Sequence, residues 1–185
     1  QNQIIHIKDS MHILLTRPLE DCSKMILKFQ SLGHKVSHLP LIRIEKIDYG
    51  EINFSEYSGI IFTSANAVKF LNIEKLDKKI KCFCVGSVTE KKARSIGFQN
   101  TISAEGNVAN LKELILQSYE TKNKELIYVS GEKISVDLDQ QLASEGFNIK
   151  RIINYRVNHN QKFDEKFLTE LKLNIPEIVY IYSQN

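Results

Sequence analysis

Residues 126–157, Leu126-Ile127-Tyr128-Val129-Ser130-Gly131 through Gly146 to Ile149-Lys150-Arg151-Ile152-Ile153-Asn154-Tyr155-Arg156-Val157, read as one strand-helix-strand unit. The apolar run 126–129 has strand length, residues 136–145 carry a helical period, Gly146 stops the helix, and residues 149–153 return as a strand. Laid without gaps on residues 13–44, the unit finds a second copy of itself. Leu14 meets Ile127, Met25 meets Leu138, Phe29 meets Leu142, Gly33 meets Gly146, Val36 meets Ile149 and Arg43 meets Arg156. A further stretch, Ile60-Ile61-Phe62-Thr63-Ser64-Ala65-Asn66, resembles Val179-Tyr180-Ile181-Tyr182-Ser183-Gln184-Asn185. Any two such units share apolar positions, but the paired Ser-x-Asn endings favour a duplication.

Outward from this unit, strand-length runs alternate with helical segments. Strands are expected over 13–15, 35–39, 58–62, 82–85, 126–129, 149–153 and 178–181. Helices are expected over 21–32, 65–71, 89–96, 107–119, 136–145 and 163–173. The alternation predicts an α/β fold of two similar halves, with parallel sheets flanked by helices. The second copy lacks counterparts of the Cys82 strand and the helix closed by Gly97, so the C-terminal part of one half is expected to be missing after Asn185. Residues 1–10 precede Met11 and are set aside as an extension or an expression remnant.

Composition narrows the function classes. The chain has 185 residues, 42% hydrophobic and 25% charged, with 25 Lys+Arg against 22 Asp+Glu for a formal charge of +3. So small and dispersed an excess predicts no nucleic-acid partner. No apolar run approaches the ~20 residues of a membrane span, so no membrane partner is expected. Cys22, Cys82 and Cys84 are sparse and odd in number, which fits a reducing, cytoplasmic setting. Cys82 and Cys84 share a strand face, poor spacing for a disulfide, and read as buried free thiols. The histidines, His34 and His38 among them, form no ligand set, and no metal site is expected.

The strand ends carry the chemistry. Thr63-Ser64, Gly86-Ser87-Val88-Thr89, Ser130-Gly131 and Ser183 each bring a hydroxyl or a glycine to a turn before a helix. Backbone N–H groups and the positive end of a helix dipole converge at such turns, a setting for anions, although capping alone accounts for any one of them. The glycine fingerprints of dinucleotide and P-loop sites are missing, with Thr16-Arg17-Pro18 after the first strand instead. Arg17 suits a carboxylate or phosphate. Ser64 and Ser130 lack the surroundings of a nucleophilic serine. Asp137 and Asp139 lie two apart on a predicted helix and read as solvated charges on different faces. Tyr155 follows the strand 149–153; its phenol, protonated at neutral pH, either packs there or donates to a leaving oxygen.

In order and spacing, Leu14-Leu15-Thr16-Arg17-Pro18, Leu39-Pro40-Leu41, Ile61-Phe62-Thr63-Ser64-Ala65-Asn66-Ala67-Val68, Val85-Gly86-Ser87-Val88-Thr89, Glu105-Gly106-Asn107 and Tyr155-Arg156 together resemble the uroporphyrinogen-III synthase family of tetrapyrrole biosynthesis. The departures are Val88 before Thr89, and Tyr182 where the first copy has Thr63. The resemblance implies two α/β domains joined by a two-stranded connector, with the active site in the cleft between them. Carried onto this chain, residues 11–42 plus 158–185 form a discontinuous domain, incomplete at its C-terminus, and residues 43–157 a continuous one. The implied reaction cyclises hydroxymethylbilane, a linear tetrapyrrole bearing eight carboxylates, to uroporphyrinogen III with inversion of the last ring. No cofactor is implied, and a monomer is expected. Tyr155 would help the hydroxyl leave; Thr63, Ser64, Thr89, Ser130, Gly131 and Ser183 would bind substrate carboxylates, with Thr16 and Arg17 as further contacts. The competing readings are a non-catalytic two-lobed protein that binds an anionic small molecule, and a receiver-type signalling module. The latter needs an acidic cluster where Thr16-Arg17-Pro18 stands.

Overall fold

A computed structural model of the chain describes residues 10–181; Tyr182 and Ser183 lie outside the described residues. The chain opens with β1 (His12–Leu15), α1 (Leu19–Ser31) and β2 (Lys35–His38), then runs through β3 (Ile42–Lys46). Next come β4 (Gly59–Phe62), α2 (Ala65–Lys69), β5 (Lys81–Val85), α3 (Ser87–Ile96), β6 (Asn100–Ala104), α4 (Val108–Gln117), β7 (Glu125–Gly131) and α5 (Leu138–Ser144). The long β8 (Asn148–His159), α6 (Glu165–Leu173) and β9 (Ile178–Tyr180) follow. Two compact units result: the chain up to Ile44 together with Val157 onward, and Glu45–Arg156.

In the first unit β1 lies between β2 and β9, parallel to both. α1 starts at Leu19, earlier than the residue 21 expected. Pro18 accounts for the difference: at the N-cap, with φ −51, it lacks an N–H that would have no helical partner, and Glu20 and Asp21 fall on the positive end of the helix dipole. Met25, Ile26 and Phe29 of α1 pack on Ile13 and Leu15, as their spacing predicts.

The other sheet has the order β3-β8-β7-β4-β5-β6. β7 is parallel to both β4 and β8, and β5 to both β4 and β6. The register repeats between the two sheets. Ile13 pairs with Val36, and Leu126, its counterpart in the ungapped alignment, pairs with Ile149. Ile13 also pairs with Ile178, while Leu126 pairs with Gly59.

Three expectations need correcting. No strand was expected over 100–104, yet β6 pairs in parallel with β5 at the sheet edge; Asn100-Thr101-Ile102-Ser103-Ala104 is too polar to announce itself, because an edge strand needs little burial. β8 is not the short strand 149–153 but a run of 12 residues, so Tyr155 sits inside a strand rather than after one. The helix expected from 89 begins at Ser87, with Gly86 at its N-cap in the left-handed region at φ 79.

Ile61, Phe83, Leu111, Ile115, Leu126, Leu138, Leu142 and Phe147 pack the core between this sheet and helices α4 and α5. Cys82 and Cys84 are free buried thiols, with sulfurs 3.8 Å apart. Tyr119 closes one end of the core. Its ring centroid is 6.0 Å from that of Phe83 and 5.9 Å from that of Phe147, its hydroxyl donates to the Ser58 carbonyl at 2.9 Å, and the Lys81 ammonium lies 4.5 Å over the ring.

Burial pushes the Tyr119 phenol up to about 12. An unfolded tyrosine ionises near 10, so above that pH the unfolded chain gives up its proton first. The stabilising contribution is therefore complete below pH ~10 and is lost as pH rises towards 12. In urea melts between pH 9 and 12, Tyr119→Phe should show a shallower alkaline loss of stability than the parent chain. At pH 7 the variant should be about 1 kcal/mol less stable for the lost hydrogen bond. Equal alkaline slopes would show that Tyr119 does not couple to folding.

Candidate active site

Parallel pairing brings several of the singled-out residues to one edge of the Glu45–Arg156 sheet. Phe62 pairs with Val129 on one side and with Cys84 on the other, so Thr63-Ser64, Val85-Gly86 and Ser130-Gly131 leave the sheet side by side at its carboxyl ends. This is where open α/β sheets bind ligands. Thr63 Oγ1 is 2.9 Å from the Tyr128 hydroxyl. Ser64 caps α2, its Oγ accepting from the Asn66 amide at 3.2 Å. Thr89 is buried in the first turn of α3, whereas its neighbour Val88 is exposed.

Ser130 is 1% exposed and its hydroxyl is fully engaged. It donates to the Gly131 carbonyl at 2.9 Å and accepts from Arg151 Nε at 2.8 Å. Arg151 Nη2 donates in addition to the carbonyls of Gly131 at 2.9 Å and Glu132 at 3.0 Å. The guanidinium thereby fixes the turn after β7.

Tyr155 is 7% exposed and its ring packs against Gly131. A Cβ added at Gly131 would stand 2.6 Å from Tyr155 Cζ and 2.9 Å from its hydroxyl oxygen, so only glycine admits the ring. A bulge sets this contact. Ser130 pairs with Ile153, but Gly131 pairs with Tyr155, leaving Asn154 as the extra residue in β8. Asn154 is wholly buried and tied on two sides: its Nδ2 donates to the Ala67 carbonyl at 2.8 Å, and its own carbonyl accepts from the Ile47 amide at 2.8 Å. The ring of Phe70 lies 6.5 Å from that of Tyr155, centroid to centroid.

The charges nearby act on Tyr128. Burial raises its pKa; the Thr63 hydrogen bond and the Arg151 guanidinium oppose that, while Asp139 and Tyr155 add to it. The phenol thus stays protonated above its ordinary range. Asp139 corrects the solvated reading of the pair Asp137 and Asp139. Asp137 is exposed and accepts from Gln141 Nε2 at 3.2 Å. Asp139 Oδ1 is buried with no hydrogen-bond partner among the described residues, because the first turn of α5 directs it inward, within electrostatic reach of Tyr128.

Thr16 and Arg17 belong to the other unit. Thr16 is buried at the end of β1, its hydroxyl donating to the Tyr180 carbonyl at 2.5 Å. Arg17 is half-buried, and its backbone carbonyl lies 2.6 Å from His38 Nε2. Ser183 falls outside the described residues. Tyr128, Arg151 and Asn154 were not singled out in the sequence, and Asp139 was named there only as a solvated charge. The signal that could have found Arg151 is the repeat itself, which lays it on His38. Among the described residues, no group of three or more His, Cys, Asp or Glu could hold a metal, and no helix is long and apolar enough to cross a membrane.

Comparison with known proteins gives the chain its family. The family model "Uroporphyrinogen-III synthase HemD" matches residues 23–185. The "Porphyrin biosynthesis protein HemD" of Ruminiclostridium josui is 26% identical over 163 residues, covering 80% of this chain and 32% of that protein. The chain thus spans about a third of the length of that relative. Among solved structures, the uroporphyrinogen-III synthetase of Helicobacter pylori 26695 superposes with a TM-score of 0.57 at 17% identity, over 92% of this chain and 72% of that one. A mutant uroporphyrinogen III synthase from the extremely thermophilic bacterium Thermus thermophilus gives 0.58 at 15%, over 88% and 68%. These two likenesses bear on the fold alone. The family match extends over most of the chain and takes in β4, β7 and β8 with the residues at their ends, so this chain belongs to the uroporphyrinogen-III synthase HemD family.

Proposed function

We propose that the chain carries out the reaction for which its family is named, the cyclisation of hydroxymethylbilane to uroporphyrinogen III with inversion of the terminal ring. The observation that carries this reading is the family match over residues 23–185, which includes every singled-out residue except Thr16 and Arg17. Loss of the hydroxymethyl oxygen as water leaves an azafulvene cation. The substituted carbon of the terminal ring attacks it to give a spiro intermediate, which fragments and recloses inverted; the proton lost as the ring regains aromaticity balances the one taken by the departing hydroxyl. Unassisted closure gives the uninverted isomer. Catalysis then consists of holding one geometry and favouring departure of the hydroxyl.

The residues suit these tasks. A phenol held against Gly131 donates a hydrogen bond to the leaving oxygen without bringing a negative charge to a polyanionic substrate. Thr63, Ser64, Thr89, Gly131 and the turn held by Ser130 offer donors to substrate carboxylates at strand ends. Thr16, Arg17 and Ser183 are carried as further candidate contacts. The reading invokes no cofactor or metal. It takes the chain as two α/β domains, residues 11–42 plus 158–185 and residues 43–157, and as a monomer in a reducing cytoplasm, with which the three free thiols agree.

The deciding experiment gives the protein freshly generated hydroxymethylbilane and separates type III from type I product by chromatography. Type III in excess is expected. Type I alone would overturn the synthase reading and favour a non-catalytic binder of anions. Tyr155→Phe should leave the melting temperature within a few degrees of the parent, because the ring keeps its seat. Its kcat should fall by roughly 10²-fold, the low end for general acid assistance; an unchanged kcat would remove the phenol from the mechanism. Gly131→Ala inserts a Cβ 2.6 Å from the Tyr155 ring. It should cost about 1–3 kcal/mol of stability and lower turnover although Tyr155 is still present. Unaltered turnover would mean that the seat of the ring does not matter.

A further inference from the structure

Arg151 is anchored in an unusual way. Three of its hydrogen bonds, from Nε to Ser130 Oγ and from Nη2 to the Gly131 and Glu132 carbonyls, end on neutral acceptors. Its position is fixed, yet its charge is not compensated. Elsewhere Lys75 pairs with Glu51 at 3.0 Å, Arg94 with Glu90 at 3.0 Å, and Lys112 and Lys122 with Glu145 at 3.4 and 3.0 Å. Arg151 has no carboxylate partner among the described residues. Asp139 acts on the same neighbour, Tyr128, without pairing with Arg151, and Glu132 offers it only a backbone carbonyl. The remaining nitrogen, Nη1, has no hydrogen-bond partner among the described residues and is not closed off from solvent.

Three neutral acceptors offset part of the hydration that this half-buried cation loses, but no carboxylate among the described residues offsets its charge. Holding the turn uses three of the five guanidinium N–H groups and leaves those of Nη1 available. The repeat shows how the two copies differ at this point. In the ungapped alignment Ser130 lies on Arg17 and Arg151 on His38. In the first copy His38 Nε2 lies 2.6 Å from the Arg17 carbonyl, so the same strand-to-strand tie exists there, with the arginine at the end of the first strand. In the second copy the first strand ends in serine, and the tie itself is the arginine. The arginine therefore stands after the first strand in one copy and on the second strand in the other.

We infer that Arg151 is a carboxylate-binding residue. Its Nε and Nη2 hold the turn after β7, and its Nη1 receives a carboxylate oxygen of the ligand. The identity of the ligand, a carboxylate-bearing tetrapyrrole, rests on the proposed function; the affinity of the site for a polycarboxylate does not.

The probe is uroporphyrin III, the stable oxidised form of the expected product, titrated by quenching of its fluorescence at low and at moderate salt. Arg151→Gln should bind it at least tenfold more weakly, with a smaller salt dependence, raising KM for hydroxymethylbilane more than it lowers kcat. Arg151→Lys should lose at least threefold, because an ammonium cannot keep Nε and Nη2 on the turn and also present a further N–H. Unchanged affinity in a variant with parental near-UV circular dichroism would overturn the inference. So would equal losses in the two variants accompanied by an altered near-UV spectrum, which would mark Arg151 as a brace for the turn alone. If Arg151→Gln does not fold, Arg151→Lys decides, and parental affinity in it overturns the assignment. Arg151-dependent binding by a protein that makes only type I product would keep this inference and remove the synthase reading. Type III product from a protein whose porphyrin binding ignores Arg151 would do the reverse.

Discussion

The parallel pairing of β7 with β4 on one side and β8 on the other is the constraint on which the Glu45–Arg156 unit depends. Leu126, Ile127, Tyr128 and Val129 are all essentially removed from water, so β7 is buried on both faces and its register cannot slip without exposing one of them. That register decides which residues share an edge. It sets Thr63 beside Tyr128 and Gly131 beside Tyr155, with Arg151 opposite Tyr128.

The bulge at Asn154 is the one place where the ladder departs from this regularity, and it does so at the candidate active site. Without the extra residue, Gly131 would face Asn154 and the phenol would fall one position further along the strand. The departure is secured from outside the ladder, by the Asn154 amide on Ala67 and by the Ile47 amide on the Asn154 carbonyl. A glycine on one strand and an anchored bulge on the other together set the Tyr155 ring in place, which explains why Gly131 needs no unusual φ to be irreplaceable there.

The charge near the strand ends suits the polyanionic ligand of the proposed function. The hydroxyls of Thr63, Ser64, Thr89, Tyr128 and Tyr155 are neutral donors near strand ends, and burial keeps Tyr128 protonated above its ordinary range. Arg151 supplies a positive charge, and three hydrogen bonds already limit its freedom, so little further ordering would be required of it on binding. Asp139 is the exception, a carboxylate with a buried oxygen unpartnered among the described residues, whose field falls on Tyr128 rather than on an ion pair.

Periodicity alone determined a good deal of this protein. The apolar alternation is that of an α/β chain, the gapless overlay of 13–44 on 126–157 anticipates the shared register of the two sheets, and the hydroxyls at strand ends are visible as a pattern. These features are local, since a strand or a helix face is written in residues a few positions apart. β6 escaped because an edge strand with Ile102 and Ala104 as its apolar residues has almost no pattern to read. The bulge, the seat of Tyr155 on Gly131, the inward turn of Asp139 and the clasp of Arg151 were decided only by tertiary structure. Each depends on neighbours that the fold supplies, across a parallel ladder or from helix to sheet, and neither spacing nor composition records which residue stands next to which.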